Sequence, residues 1–182
     1  MSDRRPVDRV FLVGMSGAGK SSVAAAAAAQ LGWTTWDSDV EIATRDGRSI
    51  PQIFAQDGEP AFRALERVVV DALSAQSNAV GALGGGAMAD APTRERLLAR
   101  GLVAWLQVSP DVAAARLEAG LAAEPRPMLG DDPRRRLADL IAAREAAYRQ
   151  AHLHVDTDQR SVAEVADTLA AKVRAASATD SA

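Results

Sequence analysis

Val10-Phe11-Leu12-Val13-Gly14-Met15-Ser16-Gly17-Ala18-Gly19-Lys20-Ser21 decides the fold. Its first four residues are a short apolar run that reads as a buried strand. Ser22 to Leu31, just beyond it, is rich in alanine and reads as a helix. Between them, Gly14 to Ser21 matches G-x-x-x-x-G-K-[ST] in the strand–turn–helix setting that a phosphate-binding loop requires. Glycines let such a loop curl and turn its N–H groups inward. Those groups and the positive end of the helix then face an anion. Lys20 is placed to reach the β- and γ-phosphates of a nucleotide, and the Ser21 hydroxyl to ligate Mg²⁺. Of 21 Lys plus Arg, only Lys20 and Lys172 are lysine. A chain that otherwise uses arginine places a compact ammonium here. The loop indicates a nucleoside triphosphate but does not separate kinase from switch or motor.

The bulk composition narrows the classes. At 182 residues the chain is one domain of ordinary size. It can bury roughly 70% of the surface that its unfolded form exposes. It has no cysteine, which excludes a disulfide framework, thiol catalysis and a cysteine-ligated metal. A net charge of −3 offers no large basic field for a nucleic acid. Met1 to Asp8 is polar and charged, with no secretory pattern. No apolar run approaches the ~20 residues that span a bilayer. The expectation is a cytoplasmic monomer with no nucleic-acid or membrane partner.

Further along, Ala24 to Ala29 favours helix, and its small side chains suit close packing on a sheet. Trp33 to Trp36 reads as a strand ending in Asp37-Ser38-Asp39. Two carboxylates two residues apart there point toward the crevice where ligands bind in open α/β sheets. Ser38 with Glu41 also fits a capping box, and both readings stand. Gly58-Glu59-Pro60 breaks the chain before a helix from Ala61 to Ala75. On it Arg63 and Glu66 are neighbours, and alone they read as an exposed salt bridge. Ala79 to Leu83 is a strand, and Gly84-Gly85-Gly86 after it is either a flexible turn or a place where a ligand nears the backbone. A helix over Pro92 to Arg100, a strand over Leu102 to Val108 and a helix over Pro110 to Leu117 follow. Residues 118–132 lack a period and read as a lid. Pro133 restarts helix, His152 to Val155 is a last strand, and a helix runs from Val162 to about Ala175. Residues 1–8 and 176–182 read as flexible ends. His152 and His154 lack metal-ligand spacing and read as structural. The βα alternation argues an α/β fold, a parallel sheet of about five strands with helices on both faces.

Taken together, these residues resemble shikimate kinases from about Val10 to Lys172. The resemblance rests on Gly14 to Ser21, Asp37-Ser38-Asp39, Phe62-Arg63 with Glu66, Gly84-Gly85-Gly86, and Arg126-Pro127 with Arg144 and Tyr148, in that order. It implies a P-loop kinase fold like that of nucleoside monophosphate kinases, and transfer of the γ-phosphoryl of ATP to the 3-hydroxyl of shikimate. Asp39, Lys20 and Arg126 would be catalytic. Asp39, Arg63, Gly85, Gly86, Arg144, Phe54, Phe62 and Glu66 would hold shikimate. Gly17, Ala18, Gly19, Lys20, Ser21, Ser22, Arg116, Arg126 and Arg160 would hold the nucleotide, and Ser21 with Asp37 the Mg²⁺. Two features depart from the family pattern: the spacing from Arg116 to Arg126 is long, and Val162 stands where proline is common near the adenine. A gluconate kinase shares the loop and a lid. A nucleotide-gated binding protein is the alternative outside the kinases.

Overall fold

Val10, Phe11, Leu12 and Val13 lie in β1 (Arg9–Val13), the central strand of a five-stranded sheet. The computed structural model describes residues 7–120 and 132–178. β1 is flanked by β3 (Ala79–Ala82) and β4 (Leu102–Gln107); β2 (Thr34–Asp37) lies outside β3, and β5 (Leu153–Asp156) outside β4. Every pairing is parallel, as the βα alternation requires. Both faces of the sheet are covered, and alternation along β1 shows how. Val10 and Leu12 turn toward α1 (Lys20–Leu31) and α7 (Val162–Ala178). Phe11 and Val13 turn toward α4 (Ala91–Arg100), α5 (Pro110–Gly120) and α6 (Pro133–Tyr148).

The alanine run works as its composition suggests. Ala24, Ala27 and Ala28 of α1 are buried in one cluster with Ala166 and Leu169 of α7, where small side chains let the helices close. A third cluster joins α2 (Ser38–Asp46) to α3 (Ile50–Leu73) through Ile42, Ile53, Phe62 and Val69. The break expected at 58–60 is a kink inside α3: Gly58 takes φ 80°, ψ 173°, and Pro60 follows.

Three sequence expectations need correction. The cap of α2 is not a box between Ser38 and Glu41. Asp37 caps it, its carboxylate accepting from the N–H groups of Asp39 and Val40. Ser38 is fully buried and its hydroxyl accepts from Gly84 N–H at 2.9 Å. Some residues expected in the flexible ends have places in the fold. α7 continues to Ala178, because Ala175, Ala176 and Ser177 sustain helix. Val7 packs on the α1–α7 cluster, and Asp8 C=O accepts from Ala79 N–H. α5 likewise extends past Leu117 to Gly120. Most of the expected lid, with Arg126, lies outside the described residues.

Because the chain passes from β1 out to β2 on one side and from β3 across β1 to β4 on the other, the strand order reverses and a crevice opens beyond the carboxyl ends. The site is built there.

Candidate active site

The loop leaves β1 through Gly14 at φ 136°, where a side chain would drive a Cβ to 2.4 Å from Leu106 C=O. Only glycine fits that turn against β4. Gly19, at φ 85°, starts α1 with no side-chain cap and no acid in the first turn. The start of α1 thus carries no acidic side chain of its own, and its positive end favours an anion. Ala18 is buried beneath the loop, and Ser22 is exposed in the first turn. Lys20 Nζ donates to Gly14 and Met15 C=O at 2.9 and 3.0 Å, which holds the ammonium across the loop's mouth. Ser21 Oγ donates to Asp37 Oδ2 at 2.6 Å, so α1 and β2 present a hydroxyl and a carboxylate side by side. Hard oxygens of this kind suit Mg²⁺, which keeps most of its shell as water and phosphate. Among the described residues no three acidic or His side chains cluster at metal-binding spacing.

Gly84-Gly85-Gly86 is the floor of a charged cradle opposite the loop. A Cβ on Gly84 would lie 2.5 Å from Asp39 Oδ1 and 3.1 Å from Glu66 Oε1. One on Gly85 would lie 3.2 Å from Arg144 Nη1, and one on Gly86 2.4 Å from both Nη atoms of Arg63. None of these three glycines has positive φ. The triplet exists for close approach rather than as a flexible turn: four ionisable side chains from three helices converge on bare backbone.

Arg63 and Glu66 are more than a surface pair. Glu66 is 3% exposed, and Arg63 Nη1 donates to its Oε2 at 2.6 Å. Burial pushes the Glu66 carboxyl up, against the Arg63 guanidinium that pulls it down. The sequence shows the spacing but not the burial, which arises because Gly84 brings bare backbone against the carboxylate from one side and Arg63 closes on it from another. Glu59 takes the other side of the guanidinium at 3.2 Å, and the Phe62 ring lies 5.3 Å from Arg63 Cζ. Phe62 is buried, and half-buried Phe54 lies tilted against it with ring centroids 4.5 Å apart, so the two rings pack together on α3.

The remaining expected residues divide. Arg116 reaches from α5 to Gly17 C=O at 3.3 Å and to Thr157 Oγ1 at 3.1 Å, also donating to Thr157 C=O; it clasps the loop to the β5–α7 turn. Arg160 stays apart: its guanidinium donates to Glu164 C=O and Thr168 Oγ1 on α7. Arg126 lies outside the described residues. Met15, Ser38 and Thr157 were missed by sequence reasoning. Met15 Sδ accepts from Arg144 at 3.5 Å and lies 3.6 Å from the Tyr148 hydroxyl oxygen. Nothing in a Met, Ser or Thr marks such contacts before folding. A cavity of about 330 Å³ lies beside the loop rather than in it, lined by Met15, Trp105, Ile141, Tyr148 and Asp156.

A phosphate loop at the carboxyl end of a central parallel strand, facing a cradle of two guanidiniums and two carboxylates, defines a P-loop small-molecule kinase. The shikimate kinase family model matches residues 16–174. Shikimate kinase of Streptomyces avermitilis is 44% identical, over 90% of this chain and 94% of its own. That of Methylococcus capsulatus is 41% identical over 88% of each. The solved shikimate kinase of Acinetobacter baumannii, in complex with shikimate, superposes with TM-score 0.86 at 35% identity, covering 93% of this chain and 94% of that one. The chain belongs to the shikimate kinase family. A gluconokinase from Sinorhizobium meliloti, 17% identical with TM-score 0.60 over 96% of each chain, shares the fold.

Proposed function

We infer that this chain transfers the γ-phosphoryl group of ATP to the 3-hydroxyl of shikimate, giving shikimate 3-phosphate and ADP. The observation that carries the reading is the convergence of Asp39, Arg63, Glu66 and Arg144 on Gly84 to Gly86, whose middle residue lies against Gly14 and Met15 of the loop. Family membership supports it, and the Acinetobacter relative has been solved with shikimate.

The chemistry follows from the parts. A carboxylate binds a guanidinium through parallel, charge-assisted hydrogen bonds. Arg63 and Arg144 take the acid's carboxylate, and Glu66 holds Arg63 from behind. Asp39 is half-buried on the first turn of α2, with its carboxylate against Gly84. It accepts from the acceptor's hydroxyls and orients the nucleophile, taking its proton as the new P–O bond forms. The bridging bond of ATP breaks as that bond forms, and the charge on the γ-phosphoryl oxygens is met by loop N–H groups and Lys20. Ser21 and Asp37 are the side chains that would hold Mg²⁺, which supplies charge neutralisation on the phosphates. Gly17 to Ser22 and Arg116 hold the nucleotide. Arg126 belongs to the same proposal as a catalytic cation. Arg160 would first have to leave α7 to reach the nucleotide. A cytoplasmic monomer acting on small molecules is part of the proposal; light scattering tests the oligomeric state.

Coupled measurement of ADP release is the direct test. Release should depend on shikimate and not on gluconate. Equal ADP release without any acceptor would sink the kinase reading.

A further inference from the structure

Gly85 is where the two halves of the site touch. A Cβ there would stand 3.5 Å from Gly14 C=O and 3.9 Å from Met15 Cα, so its backbone lies against the phosphate loop. Its carbonyl accepts the O–H of Tyr148. Tyr148 is 1% exposed, with its ring stacked on Trp105 at 5.5 Å. Arg144 is one turn earlier on α6, on the same face. It approaches Gly85 from the cradle side while its Nη1 meets Met15 Sδ at 3.5 Å. One helix therefore presents a cation to the acceptor and a phenol to the floor beneath it.

We propose that Tyr148 is a positioning residue: by holding the Gly85 carbonyl it fixes the floor of the acceptor cradle at a set distance from the phosphate loop. The proposal rests on the shikimate kinase reading. A buried phenol needs a partner, and here the partner is the backbone that carries the cradle rather than an unrelated carbonyl. Burial pushes the phenol's pKa up, so the group remains a donor across the working pH range. Phenylalanine would keep the stacking on Trp105 but leave the Gly85 peptide free to rotate, and with it the Gly84–Gly86 backbone against which Asp39, Arg63 and Arg144 rest.

The test compares the whole enzyme with Tyr148→Phe. The KM for shikimate should rise roughly three- to tenfold and kcat fall by a similar factor, as expected for one lost hydrogen bond at a buried position. The KM for ATP should stay within about twofold, because the loop loses only the weak 3.6 Å contact of this hydroxyl with Met15 Sδ and keeps its own backbone bonds. Trp105→Phe is the packing control: it thins the stack, keeps the phenol, lowers the melting temperature and leaves both KM values in place. Unchanged kcat and KM in Tyr148→Phe, with only a lower melting temperature, would overturn the proposal. Should that variant not fold, Tyr148 is the chain's single tyrosine. The wild-type enzyme grown on 3-fluorotyrosine then gives one fluorine resonance from this position. Shikimate should move it, with and without ADP, and a resonance indifferent to shikimate refutes the positioning role. A wild type that never phosphorylates shikimate removes the acceptor reading and this one with it. An active wild type beside an unaltered Tyr148→Phe removes this one alone.

Discussion

Gly86→Ala tests the cradle with the least disturbance. Gly86 has φ −98° and ψ −10°, a conformation open to any residue, so alanine adds no backbone strain. Its Cβ would sit 2.4 Å from Nη1 and Nη2 of Arg63 and 2.7 Å from Cζ, whereas ordinary contact begins near 3.4 Å. The guanidinium must retreat by about 1 Å. It ends a flexible side chain, so the folded state loses little, about 0.5 kcal/mol. Function loses more. The retreat pulls against the 2.6 Å bond to Glu66 and takes both guanidinium nitrogens out of register with a carboxylate. A charge-assisted pair contributes about 1.5–3 kcal/mol, so the KM for shikimate should rise roughly 10- to 100-fold. Steady-state kinetics with each substrate varied, beside calorimetric melting, reads both effects. The expected pattern is a raised KM for shikimate, a nearly constant KM for ATP and a melting temperature within a few degrees of wild type. An unchanged KM for shikimate, or an equal rise for ATP, would refute the placement of Arg63 at the acceptor.

Asp39→Asn should lower kcat by roughly 10²-fold or more if the carboxylate receives the acceptor's proton; near-normal turnover would reduce Asp39 to a first-turn acid of α2. Gly81→Ala offers a contrast to Gly86→Ala, since its Cβ would meet the rigid Trp36 ring at 2.2 Å. That clash cannot be relieved by a flexible tip, and about 1–3 kcal/mol of stability or more should disappear on denaturant titration; wild-type stability would show that the ring has room to move. His152 Nδ1 accepts from Val103 N–H at 3.0 Å, and burial holds its pKa below the usual 6.5. The unfolded imidazole takes up a proton as pH falls through its ordinary range while the folded one resists, so this contribution is complete above that range and is lost below it. Melting temperature should therefore drop between about pH 7 and 5.5, and drop less in His152→Gln. Identical slopes in the two proteins would show that the imidazole plays no part.

Much of this protein was legible before folding because its signals are local. Strand, turn and helix around Gly14 to Ser21 are written in consecutive residues, and the βα alternation leaves a parallel sheet as the natural outcome. The charged residues of the cradle were legible by resemblance, through short motifs in a fixed order. Other features belong to the assembled molecule. Arg63 and Glu66 are three apart on any helix, but burial of Glu66 to 3% exposure depends on Gly84 arriving against its carboxylate from another element. Whether Gly84 to Gly86 bends or makes room is undetermined by three identical letters; it is settled by Asp39, Glu66, Arg144 and Arg63 arriving from other elements. Ser38 reads as a cap until Gly84 N–H takes its hydroxyl. Covalent neighbours fix which residues can form the loop, because backbone conformation is chosen over a few bonds. The cradle is decided by the sheet order that brings together side chains as far apart in the sequence as Asp39 and Arg144, and that distance no local pattern encodes.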